Sequence, residues 1–134
     1  MYSLSSSSKK IVSNLDDLLT MKVYFSDNLP NELGNTRRFL QDILEEYGAY
    51  SDNIRFFFHN PESDADLEEQ ARKDGIQPVQ MQVIENDKVE IKKVYLGMVL
   101  LFENKKEVIP VIQTTAGLEY MISTKIKSLI DLDK

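Results

Sequence analysis

The chain has 134 residues, a length that fits one domain better than two, since domains cluster near roughly 100–150 residues. Its 42% hydrophobic and 28% charged residues, with five glycines and four prolines, are those of a globular chain able to bury a core. Sixteen Lys and Arg against 22 Asp and Glu leave a net charge of -6, which repels phosphate backbones and argues against nucleic acid, and the lack of cysteine excludes thiol catalysis, disulfides, Cys-ligated zinc and iron–sulfur clusters.

Ser5 to Ser8 supply N-cap chemistry, and Leu4, Ile11, Val12 and Leu15 recur at helical spacing, which predicts a helix over roughly residues 6–14. Asp16-Asp17 ends it, and Met21 to Phe25, bounded by Ser26-Asp27-Asn28, reads as the first strand. Pro30 opens the main helix, with Leu33, Phe39, Leu40, Ile43, Leu44 and Tyr47 on one face, stopping near Gly48. Ile54 to Phe58, dense in phenylalanine, predicts a strand covered on both faces and central in its sheet. The next helix, Ser63 to Lys73, has acids early, Arg72 and Lys73 late, and Gly75 just beyond, where a left-handed C′ residue is favoured.

From Val79 the pattern alternates: Val79, Met81 and Val83, then an Asn86-Asp87 turn, then Val89, Ile91, Val94 and Leu96, a tight hairpin. A second hairpin joins Met98–Phe102 to Val108–Ile112 through Glu103 to Lys106, with Pro110 marking an edge or a bulge. A helix over roughly residues 116–130 closes the chain, its apolar stripe comprising Leu118, Met121, Ile122, Ile126, Leu129 and Ile130. The longest apolar run, Val94 to Phe102, is nine residues, short of the roughly 20 a membrane-spanning helix needs. The N-terminus lacks the apolar core and cleavage site of a signal peptide, so the chain is expected to be cytosolic or cut from a longer parent.

This order predicts an α/β fold, a mixed sheet with flanking helices. The two opening strands with their helices, followed by Met98 to Ile112 and the last helix, resemble a thioredoxin-like fold, with the Val79–Leu96 hairpin as an insertion. No redox motif accompanies it, because a Cys-x-x-Cys cannot exist here, and Leu96-Gly97 stands where such folds carry a proline.

Chemistry-bearing candidates are few. His59, the single histidine, ends the second predicted strand, where open α/β sheets often place sites, and with Glu62 and Asp64 it makes an alternative ligand-binding or hydrolytic site. Glu62, Asp64, Asp66 and Glu68 alternate like a calcium loop, but Leu67 occupies the sixth position where that loop needs glycine, and acids at a helix start explain the cluster. The five scattered glycines form neither a G-x-G-x-x-G turn nor a Walker loop, and no serine lies in a G-x-S-x-G elbow. No cofactor and no metal are expected.

Five stretches carry a resemblance to a known family: Tyr2-Ser3-Leu4-Ser5; Met21 to Pro30, including Tyr24-Phe25-Ser26-Asp27-Asn28-Leu29-Pro30; Leu44-Glu45-Glu46-Tyr47; Gly75-Ile76-Gln77-Pro78-Val79-Gln80; and Tyr95-Leu96-Gly97-Met98-Val99. Over nearly its whole length the chain resembles the N-terminal extracytoplasmic region of GldG-type, gliding-motility-associated auxiliary components of ABC transporters. The resemblance implies a longer parent with a transmembrane helix before Tyr2, Met1 being a cloning start. It also implies a later domain, similar to class I glutamine amidotransferases, beyond Ile130. The partners it implies are an ABC permease and ATPase, reached through the full-length parent outside the cytoplasmic membrane, with the membrane touched only by segments outside this chain.

The expectation is therefore a non-catalytic interaction module, not an enzyme. Its expected contact element is the edge of the Val79–Leu96 hairpin, with Glu90, Lys92 and Lys93 as partner-binding residues, since an unpaired edge can accept a partner's strand; the alternative reading of the same three charges is that they only protect the edge from pairing.

Overall fold

The computed structural model describes residues 3–27, 29 and 31–130. The turn residue Asn28 and the helix-opening Pro30 lie outside the described residues, as do Met1, Tyr2 and everything beyond Ile130. The fold is mixed α/β. Its main sheet takes strands β1 (Leu19–Phe25), β2 (Ile54–His59), β5 (Leu96–Phe102) and β6 (Lys105–Ile109) in the order β2-β1-β5-β6, with β1 parallel to β2 and the other pairs antiparallel. This order is compatible with the thioredoxin-like arrangement. Strands β3 (Val79–Glu85) and β4 (Lys88–Val94) form a separate two-stranded sheet, a hairpin.

Helices α1 (Ser6–Ser13), α2 (Asn31–Ala49) and α4 (Leu118–Ile130) cover one face of the main sheet. Period two along β1 sends Leu19, Met21, Val23 and Phe25 to that side, where they meet Leu96, Met98 and Leu100 of β5, Leu40, Ile43, Leu44 and Tyr47 of α2, and Ile122 and Ile126 of α4. The opposite face carries a smaller cluster, Tyr24, Val99 and Tyr95, roofed by Ala71 of α3 (Ala65–Lys73) and by Ile76 just beyond it.

The end of α3 follows from Gly75. Its φ of +94° is the left-handed C′ conformation. There Gly75 N–H donates to Arg72 O at 3.1 Å and Ile76 N–H to Ala71 O at 2.8 Å, the two bonds of a Schellman motif, with the buried Ile76–Ala71 pair as its apolar contact. Ile76 is thereby driven beneath β5 at Gly97, where an added Cβ would lie 2.6 Å from Ile76 Cγ2 and 3.0 Å from the Pro110 carbonyl. Pro110 lies just past β6 and marks a bulge. Met98 faces Ile109, yet the next bond, Ile112 N–H to Leu96 O at 2.7 Å, comes one residue later than regular register would give.

Four expectations are corrected. Strand β2 is an edge strand, not a central one: α3 roofs β1 and β5 but stops short of β2, so Phe56 and Phe58 lean on the core while Phe57 stays 47% exposed. Leu96 opens β5 and does not belong to the hairpin. Lys105 and Lys106 are strand residues, since the β5–β6 turn is only Glu103-Asn104. Met121 faces outward, and the buried row of α4 is Leu118, Ile122, Ser123, Ile126 and Leu129.

Candidate functional site

The residues of the alternative site make no hydrogen bond or ion pair with one another. His59 ends β2 with its ring stacked near Phe57 at 6.3 Å and tilted against Tyr24 at 5.8 Å. Burial, and then the positive charge of Lys22, hold its pKa below the usual 6.5. Glu62 lies exposed in the short turn Pro61–Ser63, and Asp64 caps α3, its carboxylate accepting from Asp66 N–H at 2.9 Å. Among the described residues no group of three His, Cys, Asp or Glu side chains could hold a metal ion. Because the folded state depresses the His59 pKa, the stability it contributes is complete above pH 6.5 and declines as the imidazole protonates below it. An NMR titration of His59 should therefore show a midpoint below 6.5; a midpoint at or above 6.5 would contradict the packing of its ring.

Beside Tyr24 lies a polar anchor for α3. The Tyr24 hydroxyl donates to Asp74 Oδ2 at 2.7 Å and Lys22 Nζ lies 3.7 Å from the same oxygen, so Asp74 ties the helix end to β1. A larger concavity, about 670 Å³, runs between α1 and α4. Its polar floor is engaged with itself. Glu119 Oε2 accepts from Ser5 Oγ at 2.7 Å and Ser8 Oγ at 2.5 Å, while Ser123 Oγ lies 2.7 Å from Ser8 Oγ and 2.5 Å from the Tyr47 hydroxyl. The geometry is that of a stitch between three helices.

The hairpin is different in kind. Asn86 and Asp87, with φ of 51° and 62°, make a two-residue type I′ turn. That turn pairs Glu85 with Lys88 and so fixes every later pair: Ile84 with Val89, Gln82 with Ile91, Met81 with Lys92 and Gln80 with Lys93. Odd positions of β3 thus oppose even positions of β4, which puts the apolar alternations of the two strands on opposite faces. One face carries Val79 and Met81 with Glu90, Lys92 and Val94, and Met81 leans on the core. The other carries Ile84, Val89 and Ile91, which are 75%, 61% and 69% exposed.

The three residues expected to bind a partner are therefore divided. Glu90 and Lys92 share the Met81 face, while Lys93 lies on the apolar face with Ile91. Alternation within each strand does not tell which face Ile84, Val89 and Ile91 share; the signal that does is the two-residue turn, which dictates the register. At the root of the hairpin a groove of about 420 Å³ lies between α3 and Gln77-Pro78, with Tyr95 donating to Glu68 Oε2 at 3.4 Å inside it. The outer edges of β3 and β4 pair with no other strand among the described residues. No described helix is long and apolar enough to cross a membrane.

Residues 1–101 match the family described as Domain of unknown function (DUF7088). The chain belongs to this family. The DUF7088 match takes in β1, both hairpin strands and most of β5 but stops short of β6 and α4, which complete the sheet and the core around it. An Uncharacterized protein of Borreliella burgdorferi is 26% identical over 134 residues, covering 99% of this DUF7088 chain but 26% of its own length. The chain thus spans about a quarter of the curated relative it matches. No solved structure matches it significantly.

Proposed function

We propose that this chain is a non-catalytic, extracytoplasmic interaction module of a membrane-tethered ABC transporter auxiliary subunit of the GldG type, and that it meets the permease through the β3–β4 hairpin. The observation that carries this reading is the hairpin itself: a two-stranded sheet outside the main sheet, with open edges and Ile84, Val89 and Ile91 together on one exposed face. Isolated two-stranded hairpins are at best marginally stable in water, and exposed apolar residues gathered on one face mark contact surfaces. The length of the curated relative supports a larger parent that would carry the membrane segment. The residues named as an alternative site have structural duties: His59 packs among rings and Asp64 caps α3.

The reading is tested by affinity purification of the full-length parent from detergent-solubilised native membranes, with mass spectrometry of what accompanies it. An ABC permease and ATPase should co-purify, and replacing Ile84, Val89 and Ile91 together by Gln should deplete both at least about tenfold, a loss of roughly 1.4 kcal/mol of binding, without shifting the unfolding midpoint of the isolated chain. Recovery of the parent without transporter subunits, or from the soluble fraction, contradicts the reading.

A further inference from the structure

The open edge of β4 has a sequence that is complementary to itself. A two-fold axis that continues an antiparallel sheet runs perpendicular to it and preserves which face each side chain occupies, so the axis passes midway between a residue and its own copy and sets the two opposite each other. Strand β4 runs from Lys88 to Val94, and its midpoint is Ile91. An axis at Ile91 overlaps all seven residues. It puts Ile91 against Ile91, Glu90 against Lys92 twice, Val89 against Lys93 and Lys88 against Val94, with no like charges opposed.

The neighbouring registers are worse. An axis at Glu90 opposes Glu90 to itself and Lys88 to Lys92, one at Lys92 opposes that lysine to itself, and one at Val89 keeps only the first three residues paired.

From this charge pattern we infer that β4 is an interface for a second copy of this chain, joined as a four-stranded antiparallel sheet β3-β4-β4-β3 with the two-fold at Ile91. The inference rests on the reading of the hairpin as an interaction element and deepens it. Pairing brings Ile91 of the two copies together and sets each Val89 diagonal to the other copy's Ile91. The exposed triads of the two hairpins then form one apolar stripe, the surface left for the permease. Each hairpin runs in opposite sense, so the bodies stand at opposite ends of the shared sheet, which limits the repulsion between two chains of net charge -6. A single pair of seven-residue strands buries less than a standard interface, so the isolated dimer is weak and gains from tethering of the parent to a membrane, where effective concentration is high.

The test uses the whole 134-residue chain, which contains no cysteine, so that a single introduced thiol reports without background. Directly opposed residues have Cα atoms about 4.5–5.5 Å apart, within disulfide reach. Under mild oxidant at low salt, Ile91→Cys should cross-link into dimers at least about tenfold faster than Ile84→Cys, which is slightly more exposed but lies on β3. Adding Glu90→Lys or Lys92→Glu to Ile91→Cys should slow cross-linking roughly tenfold, because each sets like charges opposite one another twice. An equimolar mixture of those two variants should recover the rate in the mixed dimer, where every pair is again of opposite sign. Equal rates for the two cysteine variants, or a mixture no faster than its components, would overturn the inference and assign the edge to a different strand. The permease reading would survive that result, since no transporter subunit is present in this experiment, and its own failure would leave the cross-linking rates unchanged.

Discussion

Gly97→Val is expected to destabilise the fold by about 3 kcal/mol, the upper end of the range for overpacking, and Gly97→Ala by about 1–3 kcal/mol. The cause is local and specific. A Cβ on Gly97 would fall 2.6 and 2.7 Å from Ile76 Cγ2 and Cδ1 and 3.0 Å from the Pro110 carbonyl oxygen. Retreat is blocked on both sides: Ile76 is fully buried and held by the Schellman bond to Ala71, and the Pro110 carbonyl belongs to the bulge pinned by Ile112 N–H. Urea unfolding of the three proteins measures the effect, and an unchanged midpoint for Gly97→Val would show that the Ile76–Gly97 contact is not tight. Trimming Ile76 to Ala in the Gly97→Ala background should recover part of the loss, a coupling that residues in direct contact show and distant ones do not.

The second large effect is an alkaline weakening of the helical layer. Tyr47 is buried between α2 and α4, and burial pushes its pKa from 10 up to about 12, against the opposing effect of its hydrogen bonds to Ser123 and Ser8. Burial and the Asp74 carboxylate raise Tyr24 in the same direction. A folded-state pKa above the unfolded value means that the contribution is complete below pH 10 and is lost as pH rises, because the unfolded chain releases its proton first. For Tyr47 the window is pH 10 to 12 and the loss about 2–3 kcal/mol, at 1.36 kcal/mol per unit. Tyr47→Phe should cost about 1 kcal/mol at neutral pH through the missing hydroxyl and flatten the alkaline limb. A Tyr47→Phe protein that keeps the wild-type alkaline slope would place the titrating group elsewhere.

Much of this fold is written in local pattern. The acid-to-base charge order and Gly75 foretell α3 and its left-handed stop, the apolar face of α2 holds from Leu33 to Tyr47, and Asn86-Asp87 marks its turn. What escaped depends on long-range placement. The run Phe56-Phe57-Phe58 reads as fully covered, yet coverage of β2 is decided by where α3 ends, which nothing inside the strand encodes. Ser5 does cap α1, accepting from Ser8 N–H at 3.2 Å, but that Ser8 is buried against Ser123 and near Tyr47 has no periodic signature, because its partners lie on two other helices.

The candidate surface was half legible. Its charged residues, Glu90, Lys92 and Lys93, stand out in the sequence, and Val89 and Ile91 carry the apolar alternation that ordinarily signals a buried face, while Ile84 falls outside the alternation of Val79, Met81 and Val83. Only the turn geometry, by setting odd positions of β3 against even positions of β4, turns them outward.

That the hairpin is the element meeting the transporter is tested most directly by placing a photo-crosslinking amino acid at position 84 of the full-length parent in native membranes. Ile84 is on the exposed face and away from the β4 edge. Ultraviolet light should join the parent to a permease subunit from this position, and not from a control at exposed Glu45 on α2. Cross-linking to the permease from position 45 and not from 84, or none from either while the parent still co-purifies with the transporter, would contradict the account.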